Sequence, residues 1–250
     1  MPKKSSLEDV EVSKSFSIPS VSRRGFLNYA GLSAAALLIA TSCKNEMEED
    51  STFDKQSLAA DANGDDKPKQ VVNLGSGDIG ILNYAYALEQ LEAAFYTMAV
   101  ARPYSGITAK EMTYLTDIRD HEIAHREFFK NALGNRSIGG LIVDFSSIDF
   151  SSRESVLGTA KAFEDLGVSA YNGAGELLQS ADYLLIAGKI VSVEARHAAA
   201  IRDLLNYGSF ADSTAVNAMG LDLYRTPAEV LAIADTYVKT KIIANNLPTS

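Results

Sequence analysis

The chain has 250 residues, 46% of them hydrophobic, so it can bury a substantial core, and we expect one domain with flanking segments. Its 23 Lys and Arg stand against 32 Asp and Glu, and the resulting net charge of −9 argues against a nucleic-acid partner because it repels phosphate. The single cysteine, Cys43, excludes a disulfide within the chain and every multi-thiolate metal site. Any metal must therefore be held by oxygen and imidazole ligands.

The first 43 residues have the pattern of an export signal. Ser22-Arg23-Arg24-Gly25-Phe26-Leu27 resembles the twin-arginine (Tat) motif, and an apolar stretch follows as far as Ala40. That stretch is shorter than the ~20 apolar residues that a membrane-spanning helix needs. The segment that ends at Cys43 resembles a bacterial lipobox, with Ala40 where Leu is usual. We therefore predict a Tat-type lipoprotein signal peptide over residues 1–43, with ordinary cleavage and an unmodified thiol as the alternative.

This resemblance places the protein in the bacterial cell envelope, anchored to a membrane by a lipid on Cys43, in the periplasm or at the cell surface. The Tat route carries folded cargo, which suits a protein that acquires a cofactor before export. Residues 44–75 are predicted to be a disordered acidic tether, since they hold too little apolar surface to offset the entropy of ordering. The acidic run at 44–50 resembles surface-export signals of bacterial lipoproteins, and a solvated spacer is the alternative.

Residues 76–250 are predicted to form an all-α domain. Thr108 with Glu111 and Thr226 with Glu229 form capping boxes that mark two helix starts. A 17-residue link over residues 134–150 can extend ~50 Å, enough for one long crossover along a bundle. Such a four-helix bundle has the ferritin-like arrangement. Apolar periodicity places its helices at about 78–101, 108–133, 152–173 and 180–206, with a C-terminal accessory helix at 227–243.

Two of the three histidines have a glutamate three residues earlier on a predicted helix. Residues i and i+3 share a helix face, so each Glu and His pair can bind one ion. A di-metal bundle site takes one further glutamate from each of two other helices. The chain then consists of two similar helix pairs, each with a glutamate followed by an ExxH motif. The six candidate ligands are Glu89, Glu122, His125, Glu164, Glu194 and His197.

Two glutamates on the first helix are candidates for its metal ligand. Glu92 lies nearer the apolar stripe of that helix than Glu89 does. The repeat between the helix pairs favours Glu89, because Gly167 occupies the position that matches Glu92 on the third helix. We therefore predict Glu89 as the ligand and keep Glu92 as the alternative.

Three further residues near these ligands carry no predicted coordination. Tyr96 and Tyr171 each follow a candidate glutamate by seven residues, and they either donate hydrogen bonds to the ligands or only pack in the core. His121 precedes Glu122 directly and so points roughly 100° away from it. We expect His121 to be a surface or packing residue.

The segments Leu88–Tyr96 and Glu194–Arg202 resemble the ferritin-like superfamily, and specifically bacterial Tat-exported ferritin-like proteins related to plant desiccation-related proteins. The resemblance covers about residues 78–206. Four carboxylates and two imidazoles are a hard donor set, which favours two divalent ions of iron or manganese, although zinc could also occupy it.

The resemblance implies a di-iron or di-manganese oxidoreductase of ferroxidase, peroxidase or catalase-like type, whose partner is dioxygen or hydrogen peroxide. The alternative is a non-catalytic metal-binding or stress-protective envelope protein, and the sequence does not decide between them. A homodimer is compatible with either function.

Overall fold

The computed structural model describes residues 68–249. Four long helices form a bundle in which α1 packs mainly on α2 and α3 mainly on α4, which confirms the all-α ferritin-like fold. The two strands are only three residues long. The elements in chain order are β1 (Val71–Asn73), α1 (Gly77–Ala101), α2 (Ala109–Leu133), α3 (Arg153–Gly175), α4 (Ala181–Leu205), α5 (Pro227–Ala234) and β2 (Lys241–Ile243).

Local sequence determines where the helices begin. The Thr108 hydroxyl accepts from the Glu111 backbone N–H, and the Glu111 carboxylate accepts from the Thr108 backbone N–H, so the predicted capping box starts α2. Thr226 and Glu229 form the same box at the start of α5. The bounds of α1 to α4 agree with the predicted helices to within two residues, because apolar periodicity and caps coincide there.

The long crossover between α2 and α3 is held against α1 by side-chain amides. Gln90 donates from Nε2 to the carbonyl oxygen of Gly139 at 3.0 Å, and its Oε1 accepts from the backbone N–H of Leu141 at 2.9 Å. Asn83, two turns earlier on α1, makes the same kind of paired contact with the chain just after α2. These bonds satisfy backbone groups that have no ladder partner.

The accessory helix is shorter than predicted. α5 ends at Ala234, a single 3₁₀ turn follows, and β2 then pairs in parallel with β1, with Val72 opposite Ile242. The residues after 235 are rich in β-branched side chains, which favour extended backbone over helix. The Thr240 hydroxyl donates to the carbonyl oxygen of Lys69 at 2.6 Å and so fixes this extended segment to the N-terminal one.

The folded domain also begins earlier than the predicted boundary at residue 76. Val72 and Leu74 are buried in the core, and the alternation of exposed and buried residues in β1 follows from strand geometry. The export signal, Cys43 and the tether as far as residue 67 lie outside the described residues. Within residues 68–249, no helix combines the length and hydropathy that crossing a bilayer requires.

Candidate metal site

The six candidate ligands converge in the middle of the bundle, with all four long helices contributing. α1 and α3 each supply one glutamate, whereas α2 and α4 each supply a glutamate and a histidine. The four glutamates are fully buried. The six candidate ligands form two overlapping groups, and within each group the ligand atoms lie within 4.8 Å of one another. The first group is Glu89, Glu122, His125 and Glu194, and the second is Glu122, Glu164, Glu194 and His197.

Glu122 and Glu194 belong to both groups. Glu194 lies with Oε1 2.8 Å from Nδ1 of His125 and with Oε2 3.5 Å from Nδ1 of His197. Glu122 has the reverse arrangement, with Oε1 2.9 Å from Nδ1 of His197 and Oε2 3.6 Å from Nδ1 of His125. Each of these carboxylates therefore spans the two positions, which is the geometry of a bridging ligand.

Glu89 and Glu164 each belong to one group only. Each directs its Oε2 to the Nδ1 of the nearer histidine at 3.5 Å. The second oxygen of Glu164 accepts from the Tyr96 hydroxyl at 2.5 Å, and that of Glu89 accepts from the Tyr171 hydroxyl. Burial, reinforced by these carboxylates, raises the pKa of both tyrosines, so they retain their protons and donate. The tyrosine of each helix pair thus orients the glutamate of the other pair.

The donor set is compatible with binding metal ions. Eight of the ten buried side-chain atoms without a hydrogen-bond partner in residues 68–249 belong to these six residues. The close contacts between them lack the alignment of hydrogen bonds, and buried carboxylates without partners are costly. Four carboxylate charges would be balanced by two divalent ions placed between them.

In the metal-free protein, protons hold the cluster together. Burial alone would lower the pKa of His125 and His197, but the surrounding carboxylates outweigh it and raise both to about 12. Burial raises the pKa of Glu164 to about 7, and burial together with the charge of Glu194 raises that of Glu122. Burial opposes ionisation of Glu194 as well, yet the two histidines lower its pKa to about 2. A metal ion must therefore displace protons from the imidazoles.

His121 lies outside both groups of candidate ligands but contacts one of their members. Its Nδ1 is 2.9 Å from Nε2 of His197, and the two rings stack with centroids 5.1 Å apart and planes 10° from parallel. The prediction of a surface or packing residue missed this hydrogen bond. Its position four residues before His125 could have revealed the shared helix face, because i and i+4 are neighbours on a helix.

Glu92 is buried but stands apart from both groups. A Cβ atom added at Gly167 would lie 3.0 Å from Oε1 of Glu92, so the glycine on α3 makes room for this carboxylate on α1. Burial and the charges of nearby glutamates, Glu122 foremost, raise the pKa of Glu92. Glu89, rather than Glu92, extends toward His125 and the shared centre.

Comparison with known proteins agrees with this architecture. A family model described as a ferritin-like domain matches residues 77–207, slightly more than half of the chain. The matched segment contains α1 to α4 and all six candidate ligands. No significant relative was found among curated proteins. By its matched segment, this chain belongs to the ferritin-like domain family.

Proposed function

We propose that this protein is an exported di-metal carboxylate protein that carries out redox chemistry of iron or manganese with dioxygen or hydrogen peroxide. One observation carries the proposal: two groups of buried, unpartnered ligand atoms share Glu122 and Glu194. Carboxylate and imidazole donors without thiolates suit iron and manganese. Both metals change oxidation state under biological conditions, so a paired site supports redox chemistry as well as binding.

When bound, the two ions would together supply two electrons, which with two protons reduce dioxygen to hydrogen peroxide or hydrogen peroxide to two waters. The residues of the chain would bind the ions, orient the ligand side chains and keep water out of the site. Glu122 and Glu194 hold the two positions together, while Tyr96 and Tyr171 fix the outer carboxylates by hydrogen bonds. The buried environment keeps bulk water away from the reacting centre.

His121 gives this buried centre a polar contact with the surface. His121 is exposed, while its partner His197 is buried. With Nδ1 of His197 directed at the carboxylates, its Nε2–H donates to Nδ1 of His121, which fixes the tautomer and ring orientation.

The proposal includes the envelope location. The paired arginines, the apolar stretch and Cys43 support export by the Tat route and attachment through a lipid. A protein folded around its metal before export is consistent with ligands drawn from all four helices, because the complete site exists only in the folded domain.

Metal analysis of the protein purified from its native envelope tests binding, and stopped-flow oxidation of added ferrous ion with simultaneous oxygen measurement tests chemistry. We expect two ions per chain and consumption of oxidant in proportion to ferrous ion oxidised. His125→Ala should reduce both. If the protein binds two ions but consumes neither dioxygen nor hydrogen peroxide, the non-catalytic metal-binding function would be established instead.

A further inference from the structure

An apolar cavity of about 80 Å³ lies among the four long helices, at the end of the bundle where α1 begins and α2 ends. Its lining is almost wholly apolar, and each of the four long helices contributes at least one small residue to it. The lining includes Ala85, Leu88, Phe129, Ala170, Ala174 and Ala187.

This cavity adjoins the candidate metal site. Tyr171 is common to both, since its ring lines the cavity and its hydroxyl donates to Glu89. Leu88, another lining residue, directly precedes Glu89 on α1. On the outer side the cavity is bordered by Phe128, whose 39% exposure shows that the lining reaches the protein surface. The cavity therefore extends from the Glu89 half of the site to a residue at the protein surface.

The opposite end of the bundle contains a cluster of packed aromatic rings, although its ligands are arranged in the same way. Around Tyr96, the counterpart of Tyr171, Phe95 packs its ring 5.1 Å from that of Phe163 and 6.0 Å from that of Phe145. Phe150, from the crossover, adds a further ring to this aromatic cluster. The two halves thus share a ligand pattern but differ in the packing around their tyrosines, with the apolar cavity beside Tyr171 and packed aromatic rings beside Tyr96.

We propose that this cavity admits and holds dioxygen beside the candidate metal site. The inference rests on the proposed function and selects between its two oxidants. A dry cavity lined by aliphatic and aromatic side chains takes up small apolar molecules and atoms such as xenon. Dioxygen is of this kind, whereas hydrogen peroxide would lose its hydrogen bonds to water on entering. We therefore expect hydrogen peroxide not to enter by this cavity.

Xenon is a probe for the cavity that needs no metal. The metal-free protein would be titrated with xenon by ¹²⁹Xe NMR, and the bound atom located in a xenon-pressurised crystal. Ala187→Leu places a larger side chain in the cavity. Gly188→Leu is the matched control, because a Cβ added at this adjacent exposed position meets no atom within 4 Å. We expect Ala187→Leu to lose most of the xenon binding and Gly188→Leu to retain it.

The iron-loaded protein provides the second measurement. Ala187→Leu should slow the reaction with dioxygen several-fold, leave the reaction with peroxide near the wild-type rate, and leave the iron content unchanged. Ala85→Leu fills the same cavity from α1 and serves if the first variant does not fold.

Three results would overturn the inference. One is xenon binding that is equal in all variants, and another is equal slowing with both oxidants. The third combines two observations: decanoate displaces xenon, and the rate of the reaction with dioxygen is the same in the wild type and in the cavity-filling variants. That result would identify the cavity as a site for an acyl chain. A wild-type protein that binds xenon but neither iron nor manganese would overturn the proposed function itself, and the dioxygen role with it.

Discussion

Nδ1 of His121 lies 2.9 Å from Nε2 of His197, so an exposed imidazole on α2 fixes a buried one on α4. A hydrogen bond to the distal nitrogen of a metal-binding histidine orients the ring, and its loss typically costs about 10–100-fold in metal affinity. We expect a weakening of this size in His121→Phe, which retains an aromatic ring but offers no acceptor. Competition with a chromophoric chelator measures the affinity.

Asp120→Ala is the control for this substitution. Asp120 is the neighbouring residue, is exposed, and pairs with Arg119 away from the site. Its replacement should leave metal affinity unchanged. Wild-type affinity in His121→Phe would return His121 to the packing role that its sequence position first suggested.

The two shared carboxylates predict a pattern of metal stoichiometry. Glu122→Ala or Glu194→Ala removes a ligand from both groups and should cost both ions. Glu89→Ala or Glu164→Ala removes a ligand from one group and should cost mainly one ion. Metal content per folded chain, measured by inductively coupled plasma mass spectrometry after gel filtration, distinguishes the two classes.

Glu127→Ala is the control for stoichiometry, since this α2 residue pairs with Arg126 outside the cluster. It should retain the wild-type metal content. Equal loss of metal from all four ligand variants would contradict the division into shared and single-group carboxylates and would favour one cooperative site.

Much of this fold follows from local sequence, because the long helices carry continuous apolar stripes and recognisable caps. The structure of the segment after α5 does not follow from local sequence, because its extended form depends on pairing with β1. That strand is some 170 residues away along the chain. The same distinction holds in the site. Glu122 and His125 share one helix face and are visible as a motif, whereas the contact of His121 with His197 exists only after α2 and α4 pack.

Packing also distinguishes Glu89 from Glu92. Oε2 of Glu89 is 3.5 Å from Nδ1 of His125, while Glu92 lies against Gly167. Glu89→Ala should therefore cost more metal than Glu92→Ala. Glu92→Gln should retain metal, because the raised pKa of Glu92 makes its neutral form resemble the amide. A greater metal loss in Glu92→Ala than in Glu89→Ala would reverse the assignment.

Export and anchoring are tested on the N-terminal segment in cells. Replacing Arg23 and Arg24 together by Lys should leave the precursor in the cytoplasm, because the twin-arginine pair is the feature that the Tat route recognises. Cys43→Ala should be exported but should lose acylation and partition into the aqueous phase on detergent extraction. Unchanged export and membrane partition in both variants would contradict the predicted lipoprotein signal.

The protonated cluster predicts that the metal-free domain loses stability as the pH rises. The pKa values of His125 and His197 are raised by the surrounding carboxylates from 6.5 to about 12. Their stabilising contribution is therefore fully present below pH 6.5 and is lost progressively as the pH rises toward 12. Glu164 acts in the same direction at lower pH. Its pKa is raised from 4.5 to about 7, so the stability that its protonated form contributes is lost as the pH rises from 4.5 to 7.

Thermal unfolding of the metal-free protein should therefore shift to lower temperature between pH 7 and pH 9.5. Each kcal/mol lost corresponds to about 2–4 °C for a domain of this size. The metal-loaded protein should not show this decline over the same range, because bound cations replace the protons as partners of the carboxylates. A metal-free wild type as stable at pH 9.5 as at pH 7 would show that the imidazoles do not hold the protons that balance the cluster.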